Sequence, residues 1–76
     1  MEVSVFPDPS KESIQIHCGE KITDLSIFDL NGREVYFKSV DNYSASVNTQ
    51  SLADGICFVQ LNTTDKTVAR KVVIRH

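Results

Sequence analysis

Apolar and polar residues alternate in short runs along most of this chain. Val3 and Val5 flank Ser4; Ile14, Ile16 and Cys18 alternate with Gln15 and His17; Leu25 and Ile27 alternate with Asp24 and Ser26. Val35 and Phe37 alternate with Glu34, Tyr36 and Lys38, and Cys57, Val59 and Leu61 with Phe58 and Gln60. A period of two belongs to strands with one buried face, because successive side chains leave a strand on opposite sides. No stretch sustains the spacing of an amphipathic helix.

Turn signals separate the runs. Pro7 and Pro9 break the first, since each fixes φ and lacks an amide donor. Gly19-Glu20 ends the second. Asn31-Gly32 predicts a type I′ hairpin, both residues tolerating φ > 0. Asp41-Asn42 separates the fourth run from Tyr43–Val47, Asp54-Gly55 precedes the sixth, and Thr63 to Lys66 closes a last hairpin. The pattern predicts about seven short strands in an all-β antiparallel sandwich. The expected core is Val5, Ile14, Ile16, Leu25, Ile27, Leu30, Val35, Phe37, Val47, Leu52, Cys57, Val59, Leu61, Val72 and Ile74, which leaves Phe28, Tyr36 and Phe58 on the opposite face.

With 76 residues the chain is one small domain over 1–76, and a domain of this size buries only about 60% of its unfolded surface. The net charge of −2 speaks against a nucleic-acid partner. The charge is unevenly spread. Residues 1–61 carry nine acidic and four basic side chains, whereas residues 62–76 carry Lys66, Arg70, Lys71 and Arg75 against Asp65 alone. A basic last strand on an acidic body is either an electrostatic handle or an ordinary solvated face. The start, Met1 to Val5, has no cationic or apolar leader, so Met1 reads as a start placed on an excised domain. No apolar run is long enough to span a membrane, and no stable membrane insertion is expected.

Side chains suited to catalysis are scarce. His17 lies on a polar strand face and reads as a surface residue, and His76 is terminal. Nucleophile elbow, phosphate loop and zinc-ligand spacing are all missing. Asp24 and Asp29 sit in strand and turn positions that form no cleft. Asp8, Asp41 and Asn42 are too few and too scattered for calcium, which needs six to eight oxygens. No catalytic residue, metal or cofactor is expected. Cys18 and Cys57 both face inward by parity, either as small buried hydrophobes or as a disulfide closing a long loop. Phe28, Tyr36 and Phe58 are either a binding patch or cross-strand packing.

Four segments in order carry a family resemblance: Phe6-Pro7-Asp8-Pro9, Leu25 to Val35, Leu52 to Val59, and Thr67 to Ile74. The chain resembles the C-terminal sorting domain of proteins exported by the type IX secretion system of Bacteroidetes. That family opens on Tyr/Phe-Pro-Asn-Pro, with Asp8 here in the Asn place. Its hairpin reads apolar-x-apolar-aromatic-Asp/Asn-Leu-x-Gly-x-x-Val, matched by Leu25-Ser26-Ile27-Phe28-Asp29-Leu30-Asn31-Gly32-Arg33-Glu34-Val35. Its next motif, Leu-x-x-Gly-x-Tyr-x-Val, is met by Leu52-Ala53-Asp54-Gly55-Ile56-Cys57-Phe58-Val59, where Cys57 replaces the tyrosine. Pro7, Pro9, Asp29, Gly32 and Gly55 carry the motifs.

The resemblance implies a seven-stranded immunoglobulin-like sandwich at the end of a larger cargo protein. It implies transit of the periplasm and passage through the outer membrane to the cell surface or medium. Its partners would be the type IX translocon and a sortase-like surface protease that removes the domain. Carried over by position, translocon recognition falls on Gly55, Lys71, Val72, Val73 and Ile74, with Arg70 and Arg75 beside them. The alternative is a retained immunoglobulin-like docking or adhesive module. An open strand edge would also permit edge-to-edge dimers of the isolated domain.

Overall fold

The computed structural model describes residues 2–6 and 12–76. Their elements are β1 (Val3–Phe6), β2 (Ser13–Phe28), β3 (Glu34–Asn48), β4 (Gly55–Thr63) and β5 (Thr67–Ile74). All pairings are antiparallel, in the order β1-β2-β4-β5, with β3 also paired to β2.

The described residues are all-β and antiparallel, with five strands in one hydrogen-bonded sheet instead of seven. The difference comes from Gly19-Glu20 and Asp41-Asn42, which bend strands without ending them. Straight, the 16 residues of β2 would span about 50 Å, whereas the longest dimension of the molecule is 31 Å. β2 therefore folds over. Its first half pairs with β1 and with the end of β3; its second half pairs with the start of β3 and with β4. At the bend the β2–β3 register jumps between His17 and Ile22 and again before Asp24. Asp41 takes a left-handed φ of 55° there, and its carboxylate meets Lys21 Nζ at 3.1 Å. Bulges of this kind add local twist, which lets one strand serve both halves.

The bend gathers the buried side chains of both halves into one cluster: Ile14, Ile16, Cys18, Ile22, Leu25, Ile27, Val47, Leu52, Cys57, Val59, Leu61, Val72 and Ile74. Burial of each large aliphatic in it is worth roughly 1.5–3 kcal/mol. Val5, expected inside, is half-buried and packs against this cluster. Ile22, absent from the expected core, is fully buried because it lies at the bend.

Three expected core residues lie outside: Leu30 is 67% exposed, Phe37 57% and Val35 40%. Ile27 pairs with Tyr36 and Phe28 with Glu34, so Val35 is the extra residue of a bulge. That register turns Tyr36 toward the core and Phe37 outward, because a one-residue slip exchanges the faces of a strand. Tyr36, expected outside, is accordingly packed against the core. Leu30 sits in the hairpin loop. The loop itself is not type I′. The Gly32 amide donates to the Asp29 carbonyl at 3.0 Å and the Asp29 amide to the Arg33 carbonyl at 2.9 Å. Gly32 has φ 81°, while Asn31 is not among the described residues with positive φ. The loop therefore holds three residues, with the left-handed place after a tight turn taken by glycine.

Candidate recognition site

The basic last strand is an edge of the sheet and pairs with β4 from Asn62–Thr67 to Gly55–Ile74. Its alternation sorts the candidate residues. Val72 lies opposite Cys57 and Ile74 opposite Gly55, and both are buried, Val72 at 1% and Ile74 at 2% exposure. Lys71 lies opposite Phe58 and Val73 opposite Ile56, on the outer face. Arg70 shares the inner side with Val72 but remains exposed, its guanidinium donating to the Ala69 carbonyl at 3.0 Å. Lys71 and Arg75 are exposed, and among the described residues neither side chain makes a hydrogen bond or ion pair. The candidate recognition set thus divides into Val72 and Ile74, which hold the strand down, and Arg70, Lys71 and Arg75, which stand free of the core with Val73 half-buried between them.

Gly55 opens β4 with φ 136°, a conformation side-chain-bearing residues rarely adopt. It follows a loop that is tied down from several sides. The Thr49 amide donates to the Glu12 carbonyl at 2.8 Å, and the Leu52 amide to the Thr49 carbonyl at 3.1 Å. Leu52 fills the core from this loop. His76 closes over it: Nδ1 lies 2.6 Å from Asp54 Oδ1, Nε2 lies 2.9 Å from the Thr49 carbonyl, and the His76 amide reaches Asp54 Oδ1 at 3.2 Å. The residue that reads in sequence as an idle terminus therefore pins the exit of β5 to the entry of β4. No local signal announces a contact across 22 residues.

The hairpin motif has its own anchor. Asp29 Oδ1 accepts the amides of Asn31 and Arg33 at 2.9 and 3.0 Å, and Oδ2 accepts Arg33 Nε at 3.1 Å. The Arg33 amide above all, with help from its guanidinium, holds the Asp29 carboxyl below the ordinary 3.8, against a smaller opposing effect of burial. Between this hairpin and the loop before β4 lies a cleft of about 330 Å³, lined by Asp29, Arg33, Val35, Leu52, Asp54 and Cys57 among others. It joins two of the segments singled out in the sequence.

Cys18 and Cys57 are both buried, and neither is in a disulfide. The disulfide alternative is not made: Cys18 is registered with Val3 on β1 and Cys57 with Val72 on β5, and both belong to the buried core cluster. Burial, then the nearby Asp29 carboxylate, pushes the Cys57 thiol above its ordinary 9.0. His17 is exposed and stacks on Phe6, with ring centres 5.5 Å apart. Pro7, Asp8 and Pro9 lie outside the described residues. Among the described residues no group of His, Cys, Asp or Glu is arranged to hold a metal ion, and no helix is long and apolar enough to cross a membrane.

Three comparisons bear on this arrangement. The sequence model of a family described as secretion system C-terminal sorting domain matches residues 4–75. No curated protein matches. Among solved structures, the chain is similar to part of PorZ of Porphyromonas gingivalis, described as an essential bacterial surface component of the type-IX secretion system. The TM-score is 0.79 at 19% identity, over 97% of this chain and 11% of that one. At that identity the likeness establishes the fold. This chain spans about a tenth of the length of its structural neighbour.

Proposed function

Because this chain belongs to the family of secretion system C-terminal sorting domains, the sorting signals of type IX secretion, we propose that it is the export tail of a larger cargo protein. The sorting family is not an enzyme family, and the described side chains fit a recognition role. The domain passes with its cargo through the periplasm and the outer membrane, and a sortase-like protease removes it at the surface. The two halves set up by the bends of β2 and β3 act as the two layers of an immunoglobulin-like sandwich.

One observation supports the assignment of recognition to β5. It is an edge strand whose inward residues, Val72 and Ile74, are buried, while Lys71 and, just past its end, Arg75 are exposed and have no ion-pair partner among the described residues. A translocon reads the exposed set, Arg70, Lys71 and Arg75 with Val73. Gly55, Val72 and Ile74 hold that set in place, and Asp29, Gly32 and the His76 contacts brace the same end of the domain.

A fusion test decides the matter. The chain is joined to the C-terminus of a periplasmic reporter bearing its own signal peptide, and surface and medium are assayed in a type IX-competent strain and in one lacking the translocon. Translocon-dependent appearance outside is expected, together with periplasmic retention after removal of Val72–His76. Equal release from both strains, or normal display of the truncated fusion, would refute the reading.

A further inference from the structure

We infer that the outer face of the sheet, from β3 across β2 and β4 to β5, is a docking surface for a partner protein that presents carboxylates beside an apolar centre. The inference rests on the sorting reading above and names the chemistry of the partner. Alternation along β4 buries Cys57 and Val59, so Ile56 and Phe58 point outward, each 38% exposed. The register sets Phe28 opposite Phe58 on one side and Lys71 opposite it on the other. Phe37, 57% exposed, lies opposite Ser26 on the same face. Four large apolar side chains thus run across three neighbouring strands on the side away from the core, an arrangement that marks interaction surfaces.

Charge supplies the identity of the occupant. Lys21, Arg33, Lys66 and His76 each face an acidic side chain, and Lys38 donates to the Ser46 carbonyl. The side chains of Lys71 and Arg75, at the β5 side of the apolar face, have no polar partner among the described residues. Glu34, on the far side opposite Phe28, accepts from Ser26 Oγ at 2.9 Å, so the cationic edge is the β5 side, and an apolar centre with that edge is complementary to apolar side chains flanked by carboxylates. An anionic membrane fits less well: two cations contribute only about 1 kcal/mol each at such a surface, and the chain as a whole carries −2. A second copy fits less well too, since an isologous contact brings two cationic edges into one interface.

The test uses the reporter fusion in the competent strain, with the outward Ala69 replaced by the photo-crosslinker p-benzoylphenylalanine. Expected is an adduct with another protein that mass spectrometry places on a segment bearing Asp or Glu. Its yield should fall at least about tenfold both in Phe58→Ser and in the double variant Lys71→Glu, Arg75→Glu, with circular dichroism of the purified chain unchanged. An undiminished adduct in those variants, an adduct only between copies of this chain, or one only with lipid would overturn the docking surface while translocon-dependent export leaves the sorting reading intact. Export that does not depend on the translocon would remove the sorting reading and this proposal with it.

Discussion

His76 and Asp54 are the clasp between the last strand and the loop that precedes its neighbour: the imidazole Nδ1 stands 2.6 Å from Asp54 Oδ1, and the His76 amide reaches the same oxygen. The other ring nitrogen faces the Thr49 carbonyl. Both partners are acceptors, so a charged ring donates to both and a neutral ring to one. The clasp is partly solvated, and its loss should cost no more than about 1 kcal/mol of global stability. Its effect is local. His76→Ala or Asp54→Ala should speed amide hydrogen exchange at Val73 and Ile74 while leaving Ile14 and Ile16 as protected as before. Uniform acceleration in both regions, or in neither, would show that the contact does not hold this end.

The two sides of β5 should separate folding from recognition. Ile74 is 2% exposed in the core, so Ile74→Ala should cost about 2–5 kcal/mol and Ile74→Val about 0.5–1.5 kcal/mol. Lys71 is exposed, and Lys71→Ala should shift stability by less than about 0.5 kcal/mol. Denaturant midpoints of the purified domain give these values. In the fusion assay, Ile74→Val should export nearly normally and Lys71→Ala should not. The reverse order would mean that export follows stability alone.

Gly32 and Gly55 both have positive φ, but in different regions. At 81° Gly32 is close to the left-handed well that Asn enters readily; at 136° Gly55 is far from it. Neither has a neighbour that an added Cβ would meet, so conformational strain and not space sets the cost, roughly 1–3 kcal/mol. Gly32→Asn should therefore be milder than Gly32→Ala, whereas Gly55→Asn and Gly55→Ala should be equally harmful in urea unfolding. Rescue by Asn at Gly55 would contradict the φ assigned there.

Burial of Cys57 gives a chemical signature. Its thiol is pushed above 9.0 by desolvation and then by the Asp29 carboxylate. The native state therefore favours the neutral thiol, and this contribution to stability, full below 9.0, fades as pH rises through the native value. Because the thiolate is the reactive form, Cys57 should react with a thiol reagent near neutral pH only as fast as the domain opens, and urea should accelerate labelling in step with unfolding. Rapid labelling of Cys57 in the folded domain would place the thiol outside the core.

Much of this arrangement is legible in the sequence, and the exceptions share a cause. Alternation locates Ile14, Ile16, Leu25, Ile27, Cys57, Val59, Leu61, Val72 and Ile74 correctly, because in each of these strands a polar residue such as Gln15, Ser26, Gln60 or Lys71 fixes a parity that no bulge interrupts between it and them. It misplaces Val35, Tyr36 and Phe37, where three large apolar residues in a row carry no such mark and a bulge sets the parity. Gly19-Glu20 and Asp41-Asn42 resemble strand ends because bends and turns use the same residues; only the long-range pairing of β2 distinguishes them. The basic character of β5 is visible in composition. The clasp of His76 on Asp54 is not, since it depends on where two distant segments arrive.

Asp29 makes the hairpin motif sensitive to acid. Its carboxylate accepts two loop amides and the Arg33 guanidinium, and chiefly through the Arg33 amide its native pKa lies below 3.8. In the unfolded chain those partners are gone and the ordinary value returns. As pH falls past 3.8, the unfolded chain takes up a proton before the native one does, so stability drops. The contribution is complete above that value and vanishes once pH falls below the native one. Asp29→Asn removes the charge while leaving one oxygen to accept an amide. The variant should be less stable than the parent near pH 7, and the gap should be narrower at about pH 3, below the 3.8 at which the unfolded parent chain takes up its proton. Urea midpoints at the two pH values measure it. A gap that persists or widens in acid would mean that the shape of the amide, and not the loss of charge, accounts for the effect.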